Sequence, residues 1–403
     1  MISRREFLAV TAGLPAVASF AKAEGDDLVI KGGRVIDPSR GFDQVADVSI
    51  NAGRIAAVRP DIAAGAAEVI DASGKLVVPG LIDIHTHAVR GKDDAALCLA
   101  DGVTSIVDAG SRGSDGIDEA VAVAKAAPNR MRLLINISRT GNDQQNGELN
   151  DISKVDTAAT RRAIERHRDY VVGIKVRLSD FVAGTNDLQA LKLAQQIAQS
   201  LNVPIMIHMG QSESPLPDLL AVLKRGDIVT HPYSPGKNGI FTPAGTLLPA
   251  VLDARRRGVL FDVGNGLNKH ITWDIAERAM KAGLTPDTIS TDWVPAGRTD
   301  QIFNIGSVLS KFLLLGMPLS RVIACATSSA TRAIPAFKGL GTLAVGAPAD
   351  VAIMELRHGA FEFADNDHAT RTGTQKLVTT AVVAGGRDVT NGKGAAEGRR
   401  AAF

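Results

Sequence analysis

Short segments near the start of the chain, at 28–31, 34–36, 45–50, 54–58 and 68–71, place apolar residues at alternate positions. They are separated by Gly32-Gly33, Pro38-Ser39, Asn51-Ala52-Gly53 and Ala72-Ser73-Gly74. A period of two broken by turn residues predicts a small antiparallel sheet. From about Pro79 the rhythm changes. Fully apolar runs ending near His87, Asp108, Ile137, Arg177, His208, His231, Asp262 and Asp292 alternate with helical patterns at 115–126, 157–167, 187–199, 215–224, 244–256 and 272–282. Apolar runs of that kind mark strands buried on both faces, and eight strand-helix units in about 250 residues predict a (β/α)₈ TIM barrel, an α/β fold. Helices at 305–315 and 319–334 close it. Strands return at 349–355 and 377–384, too far along to enter the barrel. They are expected to join the N-terminal strands in one small, sandwich-like β-sheet domain built from both chain ends. The expected organisation is 24–76 and 336–391 for the small domain, 77–335 for the barrel, and 392–403 as a mobile tail without apolar pattern.

The first 23 residues stand apart. Ser3-Arg4-Arg5-Glu6-Phe7-Leu8 sets paired arginines before an apolar stretch reaching about Phe20, and Ala21-Lys22-Ala23 supplies the small residues of a cleavage site. This is the pattern of a twin-arginine export signal, implying the export machinery as a partner and a periplasmic location. The stretch is shorter than the roughly 20 apolar residues of a spanning helix, and Gly13 and Pro15 interrupt it, so no membrane span is expected.

Composition narrows the function. The formal net charge of +2 is spread without runs of like sign, which excludes a nucleic-acid tail, and aromatics at 4% are too sparse for a base-stacking surface. Cys98 and Cys325 lack metal-type spacing and read as buried thiols. The outer helices are compatible with a homo-oligomer.

The candidate chemistry lies at the strand ends. In Asp83-Ile84-His85-Thr86-His87 the two histidines share a face, because side chains alternate along a strand. Lys175, His208, His231 and Asp292 each end a later apolar run. All point to the C-terminal mouth, where barrel active sites form. A lone histidine at a strand end is usually a hydrogen-bonded core residue; four of the chain's eight at such positions, with an aspartate, point to metal. His167, His358 and His368 read as surface residues. Lys175 is the informative member. Burial and positive neighbours drive its ammonium to the neutral amine, and a neutral amine takes up carbon dioxide to give an anionic carbamate with two oxygens that can bridge two metals.

The order His-x-His, Lys, His, His, Asp along such a barrel resembles the amidohydrolase superfamily, in its carboxylated-lysine branch of dihydroorotases and hydantoinases. Ile30-Lys31-Gly32-Gly33-Arg34-Val35-Ile36-Asp37 and Gly346-Ala347-Pro348-Ala349-Asp350 resemble the flanking sheet of the same superfamily. Gly173-Ile174-Lys175-Val176-Arg177, Gly226-Asp227-Ile228-Val229-Thr230-His231 and Phe261-Asp262-Val263-Gly264 look like a dihydroorotase-like deacetylase group acting on acetyl-(R)-mandelate. The chain departs from that group at Pro232-Tyr233, Asn265 and Trp293-Val294-Pro295, all beside the mouth.

The resemblance implies two divalent ions, zinc by ligand type although manganese or cobalt suits similar ligands. It implies that His85, His87 and Asp292 hold the more buried ion, His208 and His231 the more open one, and carboxylated Lys175 both. A bridging hydroxide is then the nucleophile, with Asp292 as the catalytic proton carrier. Two dications against hydroxide, carbamate and aspartate leave roughly one positive charge, which favours a small anionic substrate. Arg177, Asn265 and His270 are the candidate substrate contacts; for Arg177 a structural ion pair is the alternative. The expected reaction is deacetylation of carboxylate-bearing esters or amides, such as acetylated 2-hydroxy acids or N-acyl-D-amino acids. A cyclic-amide hydrolase and, more remotely, an inactive scaffold are the alternatives.

Overall fold

The computed structural model describes residues 25–143, 147–267, 269–295 and 304–390. The expected export signal at 1–23 and the tail at 392–403 lie outside the described residues, among which no helix is long and apolar enough to cross a membrane.

Seven parallel strands form one curled sheet in chain order: Leu81–Thr86, Val103–Ala109, Arg130–Asn136, Val171–Arg177, Ile205–His208, Ile228–Thr230 and Leu260–Asp262. The eighth run forms no regular strand, although it closes the ring. It bridges Asp262 through Thr288 on one side and Thr86 through Trp293 on the other. Asp292 N donates to His85 O at 2.8 Å and His87 N to Trp293 O at 2.7 Å. The ladder is interrupted because Asp292 adopts a left-handed φ of 52°, outside the extended region. Ile82, Ile84, Val107, Leu134, Met206 and Ile228 fill the lower barrel, and Ile334 and Phe337 plug its floor. The mouth, where the strand-end residues lie, is thus built on a packed base.

The small sheet has eight strands drawn from both chain ends. It is mixed where alternation predicted antiparallel: Leu28–Asp37 pairs antiparallel with Phe42–Asn51 but parallel with Glu68–Asp71 and Leu76–Pro79. Leu76–Pro79 is a strand that alternation missed, being buried on both faces. It seats the returning chain by pairing with Val351–Ala364.

Three helical expectations change. The predicted helix 319–334 is two, Leu319–Cys325 and Ser328–Ala333. Thr327 between them has φ −138° and ψ −100°, and its hydroxyl donates back to Ile323 O at 2.7 Å. The helix expected from 244 starts only at Pro249, which suits a first helical position. The helix Asp94–Ala100 went unpredicted. Cys98 and Cys325 are buried free thiols.

Candidate metal centre

The first barrel strand delivers two histidines through a local irregularity. Ile82 and Ile84 already face inward, and the register with the next strand shifts between Asp83 and Thr86, which turns His85 and His87 to the same inner side. Asp83 locks this kink. Its carboxylate accepts from His85 N at 3.0 Å and from the Thr291 hydroxyl at 2.5 Å, tying the first strand to the eighth run.

The six strand-end residues converge, all of them buried. His85 Nε2 lies 3.2 Å and His87 Nε2 3.4 Å from Asp292 Oδ1. Lys175 Nζ is 2.9 Å from His85 Nε2. The His208 and His231 rings meet edge to face with centroids 4.2 Å apart, and His231 lies 5.0 Å from His85. His85, His231 and Asp292 present ligand atoms within 4.8 Å of one another, as do His208, His231 and His270. Left-handed backbone at His231 (φ 64°) and at Asp292 aims both side chains, a strain of order 1–3 kcal/mol each that the surroundings must hold.

Three outer hydrogen bonds fix which ring nitrogens face inward. The Thr230 hydroxyl donates its proton to Asp262 Oδ2 (2.8 Å), so towards His85 Nδ1, 2.9 Å away, it can only accept. Ser111 likewise donates to Asp108 Oδ2 (2.9 Å) and accepts from His87 Nδ1 (2.7 Å). The Gly264 carbonyl accepts from His231 Nδ1 (2.7 Å). Each imidazole therefore carries its proton outward and turns a bare Nε2 lone pair to the centre, the arrangement in which histidines hold metals. His231 Nε2 is buried with no hydrogen-bond partner among the described residues. Three inward nitrogens without protons, one of them with no partner among the described residues, fit a metal ion.

Electrostatics agree. Burial lowers the pKa of all four histidines, that of His87 to about 4, keeping them neutral and able to ligate. Burial also pushes Lys175 down to about 7, with no carboxylate in ion-pair contact among the described residues. Gly110 makes room for it: a Cβ there would sit 2.5 Å from Lys175 Cβ, and its φ of 83° favours glycine.

The candidate substrate contacts divide. Arg177 faces the inside, but its Nη1 binds Glu148 Oε2 at 3.1 Å and Asn142 Oδ1 at 2.6 Å, so its structural ion pair is formed. Glu148→Ala should destabilise the fold by about 3–5 kcal/mol by stranding a buried guanidinium, a loss readable in urea unfolding. Asn265 is fully buried, its Oδ1 accepting from Lys311 Nζ at 2.8 Å, and so braces the loop. His270 is brought into the centre itself, stacked on His231 with centroids 3.9 Å apart. Tyr233, one of the departures beside the mouth, points away from it: buried, it donates to Leu284 O at 3.1 Å.

Residues that sequence reasoning passed over complete the site. Thr230, Asp262, Asp108 and Ser111 are the outer partners; Asp262 and Asp108 end apolar runs, which was the available signal. Arg90, three residues beyond His87, is half-buried, feels the charges of Asp108, Arg177 and Asp292, and makes no ion pair among the described residues.

The model of the amidohydrolase family matches residues 76–389. A deacetylase of Enterococcus faecalis is 30% identical over 370 residues, spanning 90% of this chain and 98% of the relative. A deacetylase of Agrobacterium fabrum is 29% identical over 326 residues, spanning 78% of this chain and 79% of the relative. Among solved structures, an adenine deaminase superposes with a TM-score of 0.83 at 30% identity, covering 91% of this chain and all of that one (100%). A dihydroorotase superposes with a TM-score of 0.82 at 25% identity, covering 90% and 98%.

Proposed function

The chain belongs to the amidohydrolase family and is a metal-dependent hydrolase, and from that premise we propose that it deacetylates small carboxylate-bearing esters or amides with two divalent ions at the barrel mouth. The observation that carries the reading is the ring of inward, unprotonated histidine nitrogens around Lys175 and Asp292. His85, His87 and Asp292 would hold one ion, His208 and His231 the other, and carboxylated Lys175 both; zinc suits the donor set best. When bound, such ions acidify water and polarise a carbonyl.

The chain's own groups supply the rest. Lys175, whose lowered pKa leaves a large neutral fraction near pH 7, adds to carbon dioxide in that form: the Nζ lone pair bonds to carbon, an N–H proton leaves to solvent, and the amine becomes an anionic carbamate. Asp292 Oδ1 lies beside His85 and His87 and Oδ2 beside His270, and its carboxylate is placed to accept a proton and return it to the departing alkoxide or amine. Arg90 is suited to the substrate carboxylate, since its guanidinium has the fork geometry for one and makes no ion pair among the described residues. Arg90→Ala should raise KM about tenfold or more for a carboxylate substrate and leave KM for an uncharged analogue unchanged. Steady-state kinetics on the pair tests this; equal effects on both would remove Arg90 from recognition.

The deacetylase names of the relatives favour an acyl substrate, while the dihydroorotase likeness keeps ring opening as the second reading. One purified sample assayed on acetyl-(R)-mandelate, N-acetyl-D-amino acids, dihydroorotate and hydantoin decides between them. Preference for a cyclic amide would sink the deacetylase reading. Export is part of the same proposal, resting on Arg4 and Arg5. Lysine at both positions should retain the precursor in the cytoplasm on fractionation, and unchanged release to the periplasm would contradict it.

A further inference from the structure

The outer position has one more imidazole than the two its strands supply. His270 stacks on His231 at a 30° interplanar angle and meets His208 edge to face with centroids 5.1 Å apart, so the three rings surround a common point. Its Nδ1 lies 3.1 Å from Asp292 Oδ2 and makes no aligned hydrogen bond among the described residues.

The ring is held there from outside the barrel. The hairpin joining Val351–Ala364 to Thr370–Ala384 belongs to the small sheet, and its tip grips the His270 loop on both sides. Asn366 Nδ2 donates to Gly266 O at 2.9 Å, Asn366 Oδ1 accepts from Ile271 N at 3.0 Å, and Asn366 N donates to Ile271 O at 3.0 Å. Asp365 Oδ2 accepts from Trp273 N at 3.0 Å. On the inner side a Cβ on Gly266 would fall 2.0 Å from His270 Nδ1, so the ring rests on bare backbone at φ 55°. Four bonds from a separate sheet restrain the loop that carries the His270 imidazole.

We propose that His270 is a third protein nitrogen for the outer ion, and that Asn366 is a positioning residue holding it in place. Two imidazoles, a carbamate oxygen and the bridging hydroxide would give an outer zinc four donors, and His270 would add a further nitrogen, within the five-coordination that zinc accepts. The small sheet thereby sets the affinity of a site to which it contributes no ligand. This inference rests on the two-ion reading.

Titrating metal-stripped protein with zinc in bicarbonate buffer, against a chromophoric chelator, separates the two. Wild type should show two binding events. His270→Ala should weaken one of them by about 10–100-fold and leave the other unchanged. Asn366→Ala should weaken the same event by a smaller factor while far-ultraviolet circular dichroism stays native, and cobalt-loaded His270→Ala should show an altered visible spectrum. Two events of wild-type affinity with an unaltered cobalt spectrum in His270→Ala would overturn the proposal even if activity fell. Absence of any binding event in wild type would instead overturn the two-ion reading beneath it.

Discussion

Asp292→Asn is expected to retain the fold and lower kcat by about a thousandfold. The substitution keeps the shape of the side chain and its place among His85, His87 and His270, all within 3.4 Å of the carboxylate. What it removes is the charge and the ability to take a proton. A positioned general base contributes about 10²–10⁴-fold, and the middle of that range applies where no second carboxylate touches the same imidazole nitrogens among the described residues. His85 Nδ1 does face Asp262 at 3.5 Å, but on the outer side of the ring. Metal content is measured first, so that loss of an ion is not mistaken for loss of the base. A variant with both ions and more than a tenth of wild-type kcat would remove Asp292 from proton transfer.

Lys175→Ala should cost more than about 100-fold in activity, beyond the range expected for losing an outer partner, because it removes the carbamate proposed to bridge the two ions. The space it leaves lies against Met206, whose sulfur is 3.4 Å from Nζ, and beside Gly110. Millimolar acetate or propionate should enter that space and restore part of the rate, its carboxylate standing where the carbamate stood. The same chemistry gives a pH dependence. The amine pKa is lowered to about 7, so the neutral form that reacts with carbon dioxide rises with pH through that value and falls away below it. Metal-free protein in ¹³C-bicarbonate should gain a carbamate carbon resonance above pH 7 and lose it near pH 6. Activity of Lys175→Ala equal to wild type would show that the lysine ligates nothing.

Much of the barrel was legible because its strands are buried on both faces, so apolar runs of the right length stand out between helical patterns. The strand-end residues are brought together by topology, which an ordered list of run ends already encodes. Other features depended on contacts between distant segments. The eighth run reads as a strand but pairs only at isolated bridges, owing to the φ of Asp292. The outer half of the C-terminal hairpin is exposed and polar at Arg357, His358 and Gly359, so no alternation marks it, yet its tip fastens the His270 loop. Tyr233 was expected beside the mouth because it follows His231 by two residues. Left-handed backbone at His231 turns the chain and buries the phenol instead. Arg177 has the inward parity expected of it, but its partner Glu148 comes from a loop that no pattern connected to it.

The His231 Nε2 without a partner among the described residues and the outward protons of His85 and His87 are what a metal ion at the centre would satisfy. A crystal of protein purified with bicarbonate and zinc, with anomalous differences collected at the zinc edge, tests this most directly. Two peaks are predicted, one among His85, His87 and Asp292 and one against His208 and His231, with continuous density from Lys175 Nζ reaching both. A single peak, or none, beside an unmodified Lys175 would contradict the two-ion centre.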